Sequence, residues 1–390
     1  MAGIDGGGSS ASNAPAPVTL TYTLDNLSKV NPIGRGAKSV VWLVKHEPTD
    51  RYFALKEISR EHIKTQEEAQ HVWNERSVLT ELSGGSGEGT GADAGGSPFP
   101  GCCRLYSAMK DDRAVYLLLE FIAGAPLHKH FQACKGFTLE RTKFYIASLV
   151  EILAALHSQS IIYRDLKASN VMIDAHTGRP RLVDFGFAKK LIPNDGCGGG
   201  CGGDPAATPT TRRRTASVCG TFFAMAPEVY QQDKIPPAER IGYDFSVDWW
   251  GIGVLTYECL EATAPFGYRS TREATLQELA AKSPSCLAFS GKFDDSARDF
   301  VTSLLQADPK IRLGSSGGAD EVKAHPFFEG FDWMSVAVDR AALPADGSVN
   351  KALDLKATAP DFDETLGEFA SFESCDLHAE AESLDTSDED

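Results

Sequence analysis

Gly34 and Gly36, in the stretch NPIGRGAKSVVWLV, have the G-x-G spacing of a turn that can admit a phosphate, because a missing side chain lets backbone N–H groups approach the anion. A dinucleotide-binding turn needs a helix directly after the glycines, and a Walker loop needs glycine immediately before Lys-Ser or Lys-Thr. Here the residues that follow favour a strand, and Ala37 precedes Lys38 and Ser39. Two readings remain: a glycine-rich hairpin folded over a nucleotide, or a plain turn. The motif alone does not separate them. Cys197 and Cys201 have ligand chemistry, but no second Cys or His pair stands near them at metal-site spacing, so a four-ligand thiolate site is not expected.

Further chemistry-bearing residues sit in YRDLKASNVMID and RLVDFGFAKK. Arg164, Asp165, Lys167 and Asn170 precede Asp184, Phe185 and Gly186 by a short hairpin, with FALK ending at Lys56 upstream and MAPE ending at Glu228 downstream. These are the parts of the protein-kinase signature in their expected order. With NERSVL, VDWWGIGVLTYE and DPKIRLG, they make the chain resemble a eukaryotic protein kinase of the AGC group, near the cyclic-AMP- and cyclic-GMP-dependent kinases. The resemblance implies an α+β, two-lobed fold. Its kinase domain would span residues 27–328, with a small antiparallel β-rich N-lobe carrying one helix (27–122) and a larger, mainly helical C-lobe (123–328). A disordered segment would occupy 1–26, and an acidic, partly disordered AGC-type tail 329–390.

The resemblance also implies roles, in a reaction that needs positioning and charge neutralisation more than covalent chemistry. Lys56, oriented by Glu75, would hold the α- and β-phosphates of ATP beneath Gly34 and Gly36. Asp184 and Asn170 would ligate Mg²⁺, a cation that takes carboxylates and substrate oxygens. Asp165 would accept the acceptor hydroxyl's proton, Lys167 would neutralise charge on the γ-phosphate, and Thr221 would bridge these two. Val41, Ala54 and Met172 would sandwich the adenine, with Leu119 behind it and backbone groups of Glu120 and Ile122 along its edge. Leu79, Leu105, Tyr163 and Phe185 would stack between the lobes, Asp248 would anchor the catalytic loop, and Glu228 would pair with Arg312. Lys167 implies serine or threonine as the acceptor. Ser217, two residues before the CGT motif, would carry an activating phosphate met by Arg164, Lys189 and His71. In the tail, FASF with Phe369 and Phe372 resembles an aromatic motif of such kinases.

Departures bear on specificity. Pro126 and Ser169 stand where close relatives carry glutamates that hold substrate arginines, while Glu258 remains; Phe222 and Phe223 replace the usual Pro-Glu. The implied partners are protein substrates, a separate cyclic-nucleotide-binding regulatory subunit and an upstream activating kinase. The rival reading is a pseudokinase or scaffold that uses the fold for partner binding, and it is disfavoured by the joint presence of Lys56, Glu75, Asp165, Asn170 and Asp184.

These residues must be positioned by a strand-rich unit followed by a helix-rich one. SVVWLVKH and RYFALKEI, separated by EPTD, predict a hairpin. Val72, Leu79 and Leu82 predict an amphipathic helix that includes Glu75, VYLLLEFI a buried strand, and RTKFYIASLVEILAALHS a helix with a wide apolar face. Residues 1–17, 83–98, the stretch from Cys197 and the acidic end read as linkers. The chain has 390 residues, 42% of them hydrophobic, enough for a real core. Much of the net charge of −16 lies in residues 361–390, which hold twelve Asp or Glu and no Lys or Arg. The one dense basic run, Arg212 to Arg214, is too short for a nucleic-acid surface. No apolar run is long enough to cross a bilayer, no signal peptide or myristoylation site is evident, and nine cysteines read as reduced thiols. Cytoplasmic placement is the expectation, with the nucleus as its alternative, and neither nucleic-acid binding nor membrane insertion is expected.

Overall fold

The computed structural model describes residues 21–336, apart from 37, 85–98, 192–213, 218–219, 222–223, 234, 237–238 and 268–286. Cys197, Cys201, Arg212, Arg213, Phe222, Phe223, Phe369, Phe372 and the acidic end therefore lie outside the described residues.

Strands β1 (Leu27–Arg35), β2 (Ser39–His46) and β3 (Arg51–Ser59) are followed by helix α1 (Gln66–Leu82) and then by β4 (Leu105–Lys110) and β5 (Ala114–Glu120). The five strands form one antiparallel sheet in the order β1-β2-β3-β5-β4. Alternation along the strands sorts their side chains onto two faces. Val44, Phe53, Leu55, Tyr116 and Leu118 form a small core on one face, while Ala54, Leu117 and Leu119 join the main core on the other. Val41 opposes Lys56, and Ala54 opposes both Leu43 and Leu119. Lys56 thus lies on the same face as the residues expected around adenine.

Helix α1 starts at a capping box: the Thr65 hydroxyl accepts from the Glu68 N–H, and the Glu68 side chain accepts from the Thr65 N–H. Its buried residues, Glu75, Val78, Leu79 and Leu82, follow the spacing of a single helix face. That face turns Glu75 inward with the apolar residues.

The second unit begins with β6 (Gly124–Pro126), α2 (Leu127–Ala133) and α3 (Leu139–Ser158). Short strands β7 (Ile161–Ile162), β8 (Val171–Asp174), β9 (Pro180–Leu182) and β10 (Lys189–Lys190) flank the chemistry-bearing loops. Helices α4 (Pro227–Asp233) and α5 (Ser246–Glu261) follow. Residues 246 to 260 of α5 are all buried, so this helix is the central rod of the unit, and α3 and the helix Asp295–Leu304 pack on it. Among the described residues no helix is long and apolar enough to cross a membrane.

Candidate active site

The Lys56 ammonium donates to Glu75 Oε1 at 2.7 Å and to Asp184 Oδ1 at 2.9 Å. It joins the sheet, α1 and the segment after β9 at one point. Burial alone would lower the lysine's pKa, but Asp184 and Glu75 override it and raise the pKa above its ordinary value. Burial pushes the Glu75 carboxyl up despite Lys56. For Asp184 burial acts in the same upward sense, yet Lys56 and Lys167 prevail and hold the carboxyl at about 2. Asp184 is therefore an anion at neutral pH, and its side chain is 47% exposed. A Cβ on Gly186 would lie 3.1 Å from Asp184 Oδ1 and 3.8 Å from Lys56 Nζ. The glycine of the DFG motif thus leaves room for the ionic cluster.

The second cluster is built on the loop after β7. Asp165 is buried, and its Oδ2 accepts from the Asn170 amide at 2.8 Å while its Oδ1 accepts from the Thr221 hydroxyl at 2.8 Å. Lys167 donates to Thr221 Oγ1 at 2.9 Å and lies 3.4 Å from Asp165. Asn170 Nδ2 also donates to the Asp165 carbonyl, so the Asn170 side-chain oxygen is left as a hard acceptor. Asp248, on α5, accepts from the backbone N–H groups of Tyr163 (3.0 Å) and Arg164 (2.8 Å) and from His157 Nε2 (2.8 Å). The central rod thereby sets the path of the catalytic loop. Tyr163 and Phe185 meet edge to face, and both share the main core with Leu79 and Leu105.

Around the expected adenine position, Ala54, Leu119 and Ile122 are buried, while Val41 and Met172 are partly buried. The Glu120 N–H is committed to the Arg104 carbonyl at 2.8 Å. Of the two backbone groups of Glu120, only its carbonyl can serve the adenine edge. Sequence reasoning missed Arg181: it is buried on β9, opposite Met172, and donates to Glu120 at 2.6 Å and to the Cys102 carbonyl at 2.9 Å. An arginine in an otherwise apolar strand was the available signal. Gly34 lies in β1 and Gly36 in the turn after it, where the Gly36 N–H donates to the Ser39 carbonyl at 2.8 Å.

Arg164 reaches Ser217 Oγ at 2.6 Å and Tyr243 at 3.1 Å. Lys189 donates to the hydroxyl of Thr215, which lies 3.3 Å from that of Ser217. His71 packs edge-on against Phe187, and its pKa is lowered first by burial and then by the Arg164 charge. Of the three groups expected at Ser217, Arg164 reaches its hydroxyl, whereas Lys189 bonds the neighbouring Thr215 hydroxyl and His71 packs on Phe187. Glu258 is buried within α5.

Two ionic clusters built around a lysine bridge and a buried aspartate, joined by a DFG turn, are the arrangement of a phosphoryl-transfer site. Residues 27–328 match the family described as protein kinase domain. The chain belongs to the protein kinase family. It is 33% identical over 336 residues to the serine/threonine-protein kinase sck2 of Schizosaccharomyces pombe, covering 86% of this chain and 46% of that protein. It is 32% identical over 324 residues to the cAMP-dependent protein kinase catalytic subunit PRKX of Homo sapiens, covering 83% of this chain and 77% of that one. A Caenorhabditis elegans protein named as cAMP-dependent protein kinase, catalytic subunit-like, is 30% identical over 318 residues, covering 81% and 68%. The chain spans about half the length of the first of these relatives. These similarities agree with the AGC resemblance of the motifs.

The donor set fits magnesium and nucleotide. Among the described residues no group of three or more His, Cys, Asp or Glu is placed to hold a metal by itself. Magnesium keeps waters and takes one or two protein oxygens together with substrate phosphates, and the Asp184 carboxylate with the Asn170 oxygen supplies that complement.

Proposed function

We propose that this chain transfers the γ-phosphoryl group of ATP to serine or threonine hydroxyls of proteins. The observation that carries the reading is the Lys56 ammonium held between Glu75 and Asp184 together with a buried Asp165 whose two oxygens each accept one hydrogen bond, from Asn170 and from Thr221. ATP with Mg²⁺ would lie under the turn at Gly34 and Gly36, held by Lys56, Asp184 and Asn170, and bound Mg²⁺ would neutralise the phosphate oxygens. Asp165 is oriented by Asn170 and Thr221 so that it can take the acceptor's proton. Lys167, shared with Thr221, stands beside Asp165 where charge on the transferred group needs a cation. Val41, Ala54, Met172, Leu119, the Glu120 carbonyl and the Ile122 backbone are the adenine contacts that this reading requires.

Activity would depend on phosphorylation at Ser217, whose hydroxyl already meets Arg164. An upstream kinase would supply that phosphate. A cyclic-nucleotide-binding partner subunit is the further regulator suggested by the names of PRKX and the C. elegans relative.

The test is transfer of labelled phosphate from Mg²⁺·ATP to a serine/threonine peptide array. Wild-type protein is expected to label a subset of peptides, whereas Asp184→Ala and Lys56→Met each lose at least about 10²-fold in rate with unchanged circular dichroism. Half of wild-type turnover in Asp184→Ala would refute the reading.

A further inference from the structure

Lys38 stands in the turn between β1 and β2, and the Gly36 N–H to Ser39 carbonyl bond closes that turn around it. A lysine there has two possible counter-charges, the phosphates of a bound nucleotide or a carboxylate of the protein. Its ammonium donates to Glu68 Oε1 at 2.8 Å. Glu68 is not a loosely held surface acid. Its other oxygen accepts from the N–H groups of Lys64 (2.7 Å) and Thr65 (2.9 Å), and its side chain is only 17% exposed. The Lys38 contact, followed by the Thr65 N–H, holds its carboxyl at about 2.

Glu68 opens the helix that carries Glu75, seven residues or about two turns farther on. Glu75 in turn holds Lys56. Near its other end α1 offers Glu81 to Lys190 of β10. One rigid helix therefore grips the glycine-rich turn, the lysine of β3 and the strand that follows the DFG motif.

We infer that Lys38 and Glu68 form a latch that fastens the glycine-rich turn to α1, and that both are positioning residues for ATP. A turn tied to α1 in this way loses less conformational freedom when a nucleotide binds, and the saving is read as affinity. The inference rests on the kinase reading for the location of the nucleotide, but its test does not require turnover.

The experiment titrates the full chain with a fluorescent N-methylanthraniloyl ATP analogue and Mg²⁺, and measures KM for ATP and kcat alongside. Glu68→Gln keeps an oxygen for the Lys64 and Thr65 N–H groups and so preserves the cap while removing the ion pair. Lys38→Met and Glu68→Gln are each expected to raise Kd and KM about two- to five-fold, the size that a partly exposed ion pair supports, with kcat within about a factor of two of wild type. The double variant is expected to be no weaker than either single one, because both remove the same contact. Lys38→Arg should stay near wild type. So should Lys29→Gln, which breaks an ion pair with Glu57 elsewhere on the sheet.

Wild-type affinity in Glu68→Gln, or effects that multiply in the double variant, would overturn the latch, the second by showing that Lys38 acts on the phosphates alone. A wild-type chain that binds no analogue would overturn it as well. Binding without transfer to any acceptor would defeat the kinase reading and leave the latch standing on the Kd comparison.

Discussion

Arg164 and Asp184 both hold left-handed backbone, with φ of 71° and 57°, a conformation that costs a non-glycine residue about 1–3 kcal/mol. Asp248 offsets the first through its bond to the Arg164 N–H, and Lys56 offsets the second through the Asp184 carboxylate. The strained backbone thus lies next to Asp165 and at Asp184, the two aspartates of the candidate site. Specificity also belongs to this scale. Pro126 ends β6 opposite Met172, Ser169 lies in the short helical turn Ala168–Asn170, and neither offers a carboxylate. Replacing arginine with alanine three residues before the acceptor is therefore expected to change kcat/KM by less than about tenfold. Pro126→Glu should enlarge that dependence by restoring a charge-assisted partner. Paired-peptide kinetics check both, and a hundredfold arginine requirement in the wild-type enzyme would count against the argument.

His128 of α2 supplies a pH prediction at the same scale. Burial first, then the neighbouring Lys129 charge, lowers its pKa to about 4, below the ordinary value of 6.5. The unfolded chain thus takes up this proton before the folded one does. His128 contributes stability that is complete above pH 6.5 and is lost as the pH falls toward 4, with a ceiling of roughly 3 kcal/mol. Melting temperatures of wild type and His128→Gln should accordingly converge or cross as pH falls through that window; a constant difference would show that the imidazole does not titrate there.

Among the elements, the segment from Arg214 to Ser217 is tied to two others. Thr215 pairs through its backbone with Tyr243 in both directions, at 2.9 and 2.8 Å, and the Tyr243 hydroxyl donates to the Ser217 carbonyl. Ser217 is thereby held beside the Arg164 guanidinium, and a phosphate there would add about −1.5 to −2 charge and three acceptor oxygens. Cations reach this segment from the catalytic loop (Arg164, to Ser217), from β10 (Lys189, to Thr215) and from Arg240, which donates to the Ala216 carbonyl at 3.3 Å. Mass spectrometry of active enzyme is expected to find phosphate on Ser217. Ser217→Ala is expected to lower kcat/KM at least about tenfold with little change in melting temperature. Full activity of Ser217→Ala with Thr215 unmodified would reduce the segment to a connector.

Over the whole molecule, one buried contact joins parts of the larger unit that are far apart in sequence. Arg312 donates to both oxygens of Glu228, at 2.6 and 2.8 Å, and to the carbonyls of Ser246 and Gln306, and it is 1% exposed. The pair links the start of α4, the start of α5 and the segment after the helix Asp295–Leu304. Removing one partner leaves a buried charge unmatched. Arg312→Met is therefore expected to cost about 3–5 kcal/mol and to lower the melting temperature by several degrees or more. A calorimetric midpoint within a degree of wild type would contradict the argument.

The chain by itself carried the identity of the chemistry, because order and type of residues around Asp165, Asp184 and Lys56 are local properties that survive without coordinates. It also carried the main elements, since alternation in SVVWLVKH and the apolar face of RTKFYIASLVEILAALHS are set by the period of strand and helix. Only the tertiary structure decided which charges meet. Arg181 with Glu120 and Lys38 with Glu68 have separations of 61 and 30 residues, and no local period relates them. The assignment of Lys189 to Thr215, and of His71 to Phe187, is of the same kind. A side chain's partner depends on how α1, the sheet and the loops are brought together, and that is set by burial of the shared core formed by Leu79, Leu105, Tyr163 and Phe185. Apolar burial is non-directional, so it can be read from composition and period, whereas an ion pair within 3 Å depends on the final packing that burial produces.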